Sequence, residues 1–311
     1  MILTVTPNPC VDKTVFIDEL VPGNKIRSQK FTCIPGGKGT NVSRAVKALG
    51  RETVALVIVG GYPGRHVVEM IVQQDGVRCS PVWVEGMTRT ITTVLEEPIH
   101  RQTAFFEPGP QLSDVERQQV LEIFSAEVQS AGVVTFNGAV QGPELHALYR
   151  DCITIAKQAG ARTILDSYGP EFAQGLYAVP DLVKPNVAEA EGLLGYPLDT
   201  DAARTRALDA FHERGVECVV LSLGAEGALA SRGGQRLHAR PAAIEEINPV
   251  GSGDALVAGL AIGMHEGMAL EAMLRLGVAA GTANAMSWDI GHFTREEVKA
   301  VAERVQVEGW R

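Results

Sequence analysis

Hydrophobic positions follow two alternating patterns along most of the chain. Short apolar runs that end in Gly, Asn or Asp are followed by longer segments in which apolar residues recur at helical spacing. The short runs predict strands at Ile2–Thr6, Val54–Val59, Val133–Phe136, Thr163–Leu165, Leu182–Val183 and Cys218–Leu221. The longer segments predict helices at Val42–Leu49, Arg65–Gln74, Asp114–Gln129, Glu144–Gln158 and Ala202–Arg214. This alternation is typical of an α/β protein with a parallel sheet and helices on both faces, that is, a three-layer α/β/α core.

Two stretches break the alternation. Residues Lys13–Cys33 and Met87–Glu107 are rich in Thr, Val, Ile and Phe and predict strands without an intervening helix. We therefore predict a small β-sheet lid formed by residues 13–33 and 87–107, inserted into a core formed by residues 1–12, 34–86 and 108–311. The last third predicts helices at Ala255–His265, Leu270–Met286 and Thr294–Val305, and hence a helical C-terminus.

Composition narrows the possible partners and compartments. The chain has 311 residues and a formal net charge of −9, which argues against nucleic acid or an anionic membrane as a partner. The longest apolar runs, such as Ala255–Met264, fall short of the ~18 to 20 residues that a membrane span needs. The N-terminus has no basic leader, and the five cysteines form no C-x-x-C pair. We expect a cytoplasmic protein with neither disulfides nor a zinc site.

A glycine loop, Gly251–Asp254 (G-S-G-D), directly precedes an apolar helix. Glycines at a helix start leave backbone N–H groups free to bind an anion, and the helix dipole favours negative charge there. Asp254 is either a catalytic carboxylate or only a helix cap, and the loop alone does not decide between them. The loop is not a dinucleotide fingerprint, because G-x-G-x-x-G would need glycine at Leu256.

A second glycine cluster, Pro35–Asn41 (P-G-G-K-G-T-N), leads into the helix predicted at Val42–Leu49. It is not a Walker A loop, because Thr32 occupies the position of the first glycine and Gly39 follows the lysine. Lys38 and Asn41 suit a polar, anionic small molecule. The alternative is a flexible turn with a solvated lysine.

Five motifs in order carry a family resemblance. They are Asn8–Asp12 (N-P-C-V-D), Pro35–Asn41, Glu107–Pro110 (E-P-G-P), Lys184–Glu189 (K-P-N-V-A-E) and Gly251–Asp254. Together they resemble the ribokinase-like (PfkB) carbohydrate kinases, and the first and third resemble the branch that contains 1-phosphofructokinase and tagatose-6-phosphate kinase. The resemblance spans nearly the whole chain. It implies a ribokinase-like three-layer fold with a small β-sheet lid, and ATP and Mg²⁺ as cofactors.

The resemblance also implies roles on the nucleotide side. Asp254 would be the catalytic base, and the N–H groups of Gly251, Ser252 and Gly253 would stabilise the transferring phosphoryl group. Asn186 and Glu189 resemble the family's Mg-ATP element, acting on the metal through water and ATP phosphates; their alternative is a helix capping box. The remaining predicted nucleotide residues are Lys184, Ser222, Gly224 and Gly227, with Asn284 in the base pocket.

On the acceptor side, the resemblance implies that Asp12, Gly37 and Asn41 bind sugar hydroxyls. Lys38, Arg27 and Arg89 would hold a phosphate already on the substrate. Arg27 and Arg89 have the alternative of being solvated charges on edge strands. Asn137 stands where this branch usually has serine, and we expect it to bond a sugar hydroxyl.

These residues favour an ATP-dependent kinase of a phosphorylated ketohexose, with fructose 1-phosphate ahead of tagatose 6-phosphate and fructose 6-phosphate. A kinase of an unphosphorylated sugar or nucleoside, a non-catalytic sugar-phosphate sensor and an NAD-dependent oxidoreductase are the other candidates. Lys38 and Arg89 argue against the first, the retained Asp254 against the second and the missing dinucleotide fingerprint against the third. We further expect a homodimer formed through the lids.

Overall fold

The computed structural model of the protein describes residues 1–28 and 30–310. The strands are β1 Ile2–Thr6, β2 Cys10–Ile17, β3 Lys30–Gly36, β4 Thr53–Val59, β5 Arg78–Trp83, β6 Arg89–Glu96, β7 Arg101–Phe106, β8 Val133–Asn137, β9 Arg162–Asp166, β10 Leu182–Val183, β11 Cys218–Ser222, β12 Ala228–Arg232, β13 Gln235–Arg240 and β14 Gln306–Gly309. The helices are α1 Lys38–Ala48, α2 Gly61–Gln73, α3 Asp114–Glu127, α4 Leu148–Gln158, α5 Gly169–Leu176, α6 Val187–Leu194, α7 Asp201–His212, α8 Ser252–His265, α9 Leu270–Ala285 and α10 Arg295–Ala302.

One large mixed sheet forms the middle layer, in the order β14-β13-β12-β11-β10-β9-β8-β1-β4-β5. The strands from β11 to β5 in this order run parallel, and β12, β13 and β14 add antiparallel at the other end. Strands buried on both faces read as continuous apolar runs, which is why β4 is apolar throughout. The α/β/α prediction is therefore confirmed.

The two faces of this sheet carry separate apolar cores. On β4, alternate residues Val54, Leu56 and Ile58 belong to the same apolar core as residues of α3, α4, α5 and α7. Residues of α1, α8, α9 and α10 cover the opposite face. The large buried side chains of the first core include Phe124 and Tyr149, each with no exposed surface. These buried side chains pack helices against the sheet and so hold its strands in place.

A second, smaller sheet has the order β3-β2-β6-β7 and sits apart from the large one. In its register Asp12 lies opposite Ile91, which lies opposite Phe106, so these three share one face. Val15, Phe31 and Val94 lie on the other face. The small sheet itself was predicted; the division of the chain into a core and an inserted lid at residues 13, 33, 87 and 107 stays a proposal.

The prediction of a helical C-terminus was wrong. The final helix ends at Ala302, and β14 then pairs antiparallel with β13 at the edge of the large sheet. The residues of β14 are mostly exposed and polar, so they carry no apolar pattern. Their strand conformation comes from the hydrogen-bonding edge that β13 offers. Among the described residues, no helix has both the length and the apolar character to span a bilayer.

Candidate active site

Polar residues gather where the parallel strands end. Asn137 and Asp166 are the last residues of β8 and β9, and Lys184 follows β10 directly. Ser222 ends β11, and Asn8 lies two residues beyond β1. These strands are neighbours in the sheet, so their carboxyl ends meet at one edge. Open α/β sheets bind ligands at this edge.

The glycine loop opens α8 as predicted. Gly251 is the N-cap residue, with φ of 82°, a conformation that a residue with a side chain rarely adopts. A Cβ at this position would overlap the side chain of Ile290. The loop therefore requires glycine. The N–H of Ser252 donates to Pro249 O at 3.2 Å, and the positive end of the helix dipole favours an anion at this loop.

Asp254 does not cap this helix. It lies in the first turn of α8, but no side chain makes a capping hydrogen bond there. Its Oδ2 instead accepts a hydrogen bond of 2.8 Å from Nδ2 of Asn41 on α1. Burial, with a further contribution from Asp166, raises the pKa of Asp254 to about 6, against the opposing effects of Lys38, Asn41 and Lys184. A carboxylate with such a pKa is suited to accept a proton near neutral pH.

The second glycine cluster packs against Asp12. Gly37 is the N-cap of α1, with φ of 111°. A Cβ on Gly36 would lie 2.9 Å from Cβ of Asp12, so glycine lets the loop pack directly against β2. Burial raises the pKa of Asp12, and the charges of Arg44 and Arg89 oppose the rise.

Lys38 lies among carboxylates rather than in solvent. Its Nζ is 3.3 Å from Glu189 Oε1 and 3.9 Å from Asp166 Oδ1. Burial lowers the pKa of Lys38, but the carboxylates of Asp166, Glu189 and Asp254 outweigh it, and the pKa ends above its ordinary value. The lysine is therefore charged, and it reaches the residues predicted to serve the nucleotide.

Asp166 is a site residue that the motifs did not identify. Its side chain is 1% exposed and lies 3.1 Å from Nζ of Lys184, yet neither carboxylate oxygen has a hydrogen-bond partner among the described residues. Buried carboxylate oxygens without a hydrogen-bond donor fit a divalent cation, because Mg²⁺ prefers oxygen ligands, and Glu189 contacts the same Lys38 as Asp166 does. The available signal was an aspartate directly after the apolar run Thr163–Leu165.

Asn186 and Glu189 form the capping box that was the alternative to metal binding. Asn186 is the N-cap of α6, and the two reciprocal hydrogen bonds are both 2.9 Å long. Glu189 Oε1 faces Lys38 while Oε2 closes the box. The capping box is thus present, and Oε1 of Glu189 still faces Lys38 in the site.

A cavity of about 470 Å³ adjoins the glycine loop. Its lining includes several predicted nucleotide residues, namely Asn186, Ser222, Gly224, Gly227, Ser252 and Gly253. Asn284 does not line it. Its amide donates to Val250 O and Ser252 Oγ and accepts from Gly291 N, so it holds the loop rather than facing a base. Its role as a nucleotide ligand stays a prediction.

The acceptor residues divide into buried and exposed groups. Arg89 donates from Nη2 to Asn8 O at 3.2 Å, and its buried Nε has no partner among residues 1–28 and 30–310. Asn137 is 1% exposed; its Nδ2 donates to Thr135 Oγ1, and its Oδ1 likewise has no partner within the described chain. Arg27 lies in the exposed connection between β2 and β3, not in a strand as predicted.

Together, a buried carboxylate with a raised pKa, a glycine loop at a helix start, a cavity beside it and an acidic cluster with two lysines suit phosphoryl transfer. Comparison with known proteins agrees. The pfkB family carbohydrate kinase profile matches residues 5–287. The 1-phosphofructokinase of Xanthomonas campestris pv. campestris is 33% identical, over 98% of this chain and 97% of that protein. The tagatose-6-phosphate kinase of Staphylococcus epidermidis is 30% identical, over 99% of each chain.

Solved structures give the same result. Phosphofructokinase-2 from Escherichia coli, solved in complex with potassium, superposes with a TM-score of 0.91 at 28% identity, covering 97% of this chain and 98% of that chain. Other structures of that enzyme include a tetrameric inhibited form and a complex with fructose 6-phosphate. This chain belongs to the pfkB family of carbohydrate kinases. The predicted family, fold and enzyme class are therefore confirmed, and kinases of this family use ATP with Mg²⁺.

Proposed function

We propose that this kinase transfers the γ-phosphoryl group of ATP to a free hydroxyl of a phosphorylated ketohexose. Fructose 1-phosphate is the preferred acceptor, and fructose 1,6-bisphosphate is the product. The observation that carries the proposal is the buried Asp254, which directly follows Gly253 in the first turn of α8 and is hydrogen-bonded to Asn41 of the acceptor loop. Full-length similarity to a 1-phosphofructokinase supports the choice of acceptor.

In this account Asp254 takes the proton of the attacking hydroxyl as the oxygen approaches the γ-phosphorus. The N–H groups of Gly251 and Gly253, and that of Ser252 in exchange for its bond to Pro249 O, would bind the equatorial oxygens, on which negative charge concentrates during transfer. Lys38 was predicted to hold the phosphate already on the acceptor; because it contacts Glu189, we assign it instead to neutralising these transferring oxygens. Burial of the site excludes water, which would otherwise compete with the sugar for the phosphoryl group.

Mg²⁺ would be held by Asp166 and Glu189, directly or through water, and when bound it neutralises phosphate charge. Asn186 orients Glu189 through the capping box. Nζ of Lys38 and Nζ of Lys184 lie 3.9 Å and 3.1 Å from Asp166 Oδ1, so both cations border the proposed metal position. Ser222, Gly224 and Gly227 line the cavity that would take the rest of the nucleotide, next to Lys184.

On the acceptor side, Asp12, Gly37, Asn41 and Asn137 would bind hydroxyls. Arg89 supports a phosphorylated acceptor, because its guanidinium is half-buried and its Nε lacks a partner in the described part of the chain. A neutral sugar would leave this cation unpaired. Arg27, in its exposed connection, would reach the same phosphate only when the small sheet closes over the sugar.

A coupled ADP-release screen tests the proposed acceptor. Fructose 1-phosphate, fructose 6-phosphate, tagatose 6-phosphate and free fructose are compared at equal concentration, with ATP and Mg²⁺. The proposal predicts the largest kcat/KM for fructose 1-phosphate and negligible turnover of free fructose. Preference for fructose 6-phosphate or tagatose 6-phosphate would show that the proposed acceptor is wrong and the proposed reaction type is right. Sugar-phosphate binding without ADP release would identify a sensor.

The chain would also form a homodimer through the small sheet. Phe31 and Phe105 are 64% and 57% exposed and share the face of the sheet that carries Val15 and Val94, where a second copy would bury them. Light scattering on Phe105→Asp tests this, with Val115→Asp on α3, an even more exposed apolar position, as the control. A dimer that dissociates only in the first variant supports the proposal; a monomeric parent rejects it.

A further inference from the structure

Arg44 connects elements on both sides of the candidate active site. It lies on α1, one turn after Asn41, and its side chain is only 11% exposed. Its Nη1 donates to Asn41 Oδ1 and to Ile290 O, both at 3.2 Å, and its Nη2 donates to Pro35 O at 2.5 Å. Its Nε donates to Asp75 Oδ1 at 2.8 Å. Three segments distant in sequence thus converge on one guanidinium.

The ion pair with Asp75 keeps this guanidinium in place. Asp75 follows α2, and its side chain is 8% exposed, so neither charge is solvated. A planar guanidinium offers five N–H donors in a fixed geometry, whereas an ammonium is a point charge. Only the guanidinium can satisfy the carboxylate and the three oxygen acceptors at once.

The bond to Asn41 determines which way its side-chain amide faces. An amide has an acceptor oxygen on one side and a donor nitrogen on the other. Because Arg44 occupies the oxygen, the nitrogen must face Asp254, and it does so at 2.8 Å. A reversed amide would set its oxygen against the ionised carboxylate, and the two acceptors would repel each other.

The bond to Ile290 extends the same connection to the phosphate loop. The Ile290 side chain packs against Gly251, and the neighbouring Gly291 donates its N–H to Asn284. Asn284 in turn donates to Val250 O and to the hydroxyl of Ser252. Arg44 therefore touches the segment that supports the glycine loop as well as the partner of the base.

We propose that Arg44 is a positioning residue for phosphoryl transfer, which fixes the Asn41 amide so that it aims the carboxylate of Asp254. This rests on the proposed role of Asp254 as the base. The charged groups that face Asp254 are Asp166 from β9, Lys38 from α1 and Lys184 after β10. All three remain when Arg44 is replaced, so a change at Asp254 reports the loss of the amide contact and of the Arg44 charge.

Arg44→Met combined with Asp75→Asn tests the proposal without leaving a buried unpaired charge. Asp75→Asn alone is the matched control, because it keeps the three bonds from Arg44 to Asn41, Pro35 and Ile290. The kcat of the double variant is expected to be ~10-fold lower than that of the control, because a carboxylate in the wrong orientation accepts the proton less efficiently. The pH below which kcat falls is expected to be higher than in the control.

A measurement without turnover separates this proposal from the proposed function. The side-chain amide ¹⁵N signal of Asn41, assigned by its loss in Asn41→Ser, is followed against pH in the ligand-free protein. In the control it should titrate with Asp254, near pH 6. In the double variant the midpoint should rise, or the amide signal should no longer titrate because the contact is lost, whether or not the enzyme turns over the sugar tested.

Arg44→Lys provides a second variant that keeps the charge opposite Asp75 and therefore the fold. It should shift the amide titration in the same direction, because an ammonium cannot reach all the acceptors. Equal acid limbs and equal amide midpoints in the control, the double variant and Arg44→Lys would overturn the proposal. If the parent protein turned over none of the sugar phosphates, a shifted amide midpoint would still uphold the positioning of Asn41 against Asp254 by Arg44 while refuting the proposed function.

Discussion

The amide nitrogen of Asn41 lies 2.8 Å from a carboxylate oxygen of Asp254, although the two residues are on different helices and 213 positions apart. Asn41 belongs to the glycine cluster that opens α1, and Asp254 to the first turn of α8. The contact joins the loop predicted to hold the acceptor with the residue predicted to activate it. It also removes the simplest alternative, that Asp254 serves only its own helix.

The pH dependence of activity should follow the raised pKa of Asp254. Because burial raises that pKa to about 6, the base is protonated below it, and kcat/KM should fall as pH drops through 6. The phosphate of the substrate also ionises near pH 6, so Asn41→Ala serves as the test variant. Losing the hydrogen bond to the carboxylate should shift the fall in kcat/KM to higher pH. An unchanged midpoint would indicate that the fall reflects ionisation of the substrate's phosphate.

Asp254→Asn should stabilise the protein above neutral pH. The carboxyl is protonated in both folded and unfolded states below its ordinary pKa of 3.8, and ionised in both above about 6. Because the pKa is higher in the folded state, ionising Asp254 lowers the free energy of unfolding as the pH rises. The pKa difference of about two units corresponds to about 3 kcal/mol at pH 8, and the effect falls to zero near pH 4. Denaturant unfolding of both proteins at pH 4, 6 and 8 measures the difference, and a variant less stable at pH 8 would contradict it.

Arg89 and Lys38 should differ in their kinetic effects. Arg89→Gln removes a charge that would meet the acceptor's phosphate, so KM for the phosphosugar should rise ~10- to 100-fold, with little change in KM for ATP. Lys38→Met removes a cation that contacts Glu189 and lies near Asp166, so kcat should fall more than either KM rises. Steady-state kinetics with each substrate varied distinguishes them. Equal effects of both variants on KM for the sugar would place Lys38 at the acceptor's phosphate.

Gly251→Ala should impair turnover and destabilise the fold. The residue has φ of 82°, and a Cβ would overlap Ile290, so the loop must shift; the cost is about 1–3 kcal/mol. Gly192→Ala in α6 is the matched control, because nothing lies within 4 Å of its Cβ position and its φ is not positive. The control should be neutral or slightly stabilised. Parent-like kcat in Gly251→Ala would show that the loop geometry is unimportant.

Sequence patterns predicted the fold better than they predicted the contacts within the site. Strand ends and glycine loops follow from apolar runs and local conformational needs, so Gly251 and Gly37 were found. Asp166 and Arg44 were not, because each acts through partners distant in sequence, such as Lys184 and Ile290. Asn284 was expected to face a base, but the bonds that hold it depend on the path of the 248–252 loop. The strand β14 exists only because β13 offers an edge.

Turnover by Asp254→Asn is the most direct test of the central claim that Asp254 is the base of a sugar-phosphate kinase. ADP release is measured at saturating ATP, Mg²⁺ and fructose 1-phosphate, with Asp114→Asn, the same change in the exposed first turn of α3, as control. The account predicts that kcat falls at least ~10²-fold in the first variant while the fold and ATP binding persist, and that the control is unchanged. A folded Asp254→Asn protein with near-parent turnover would contradict it.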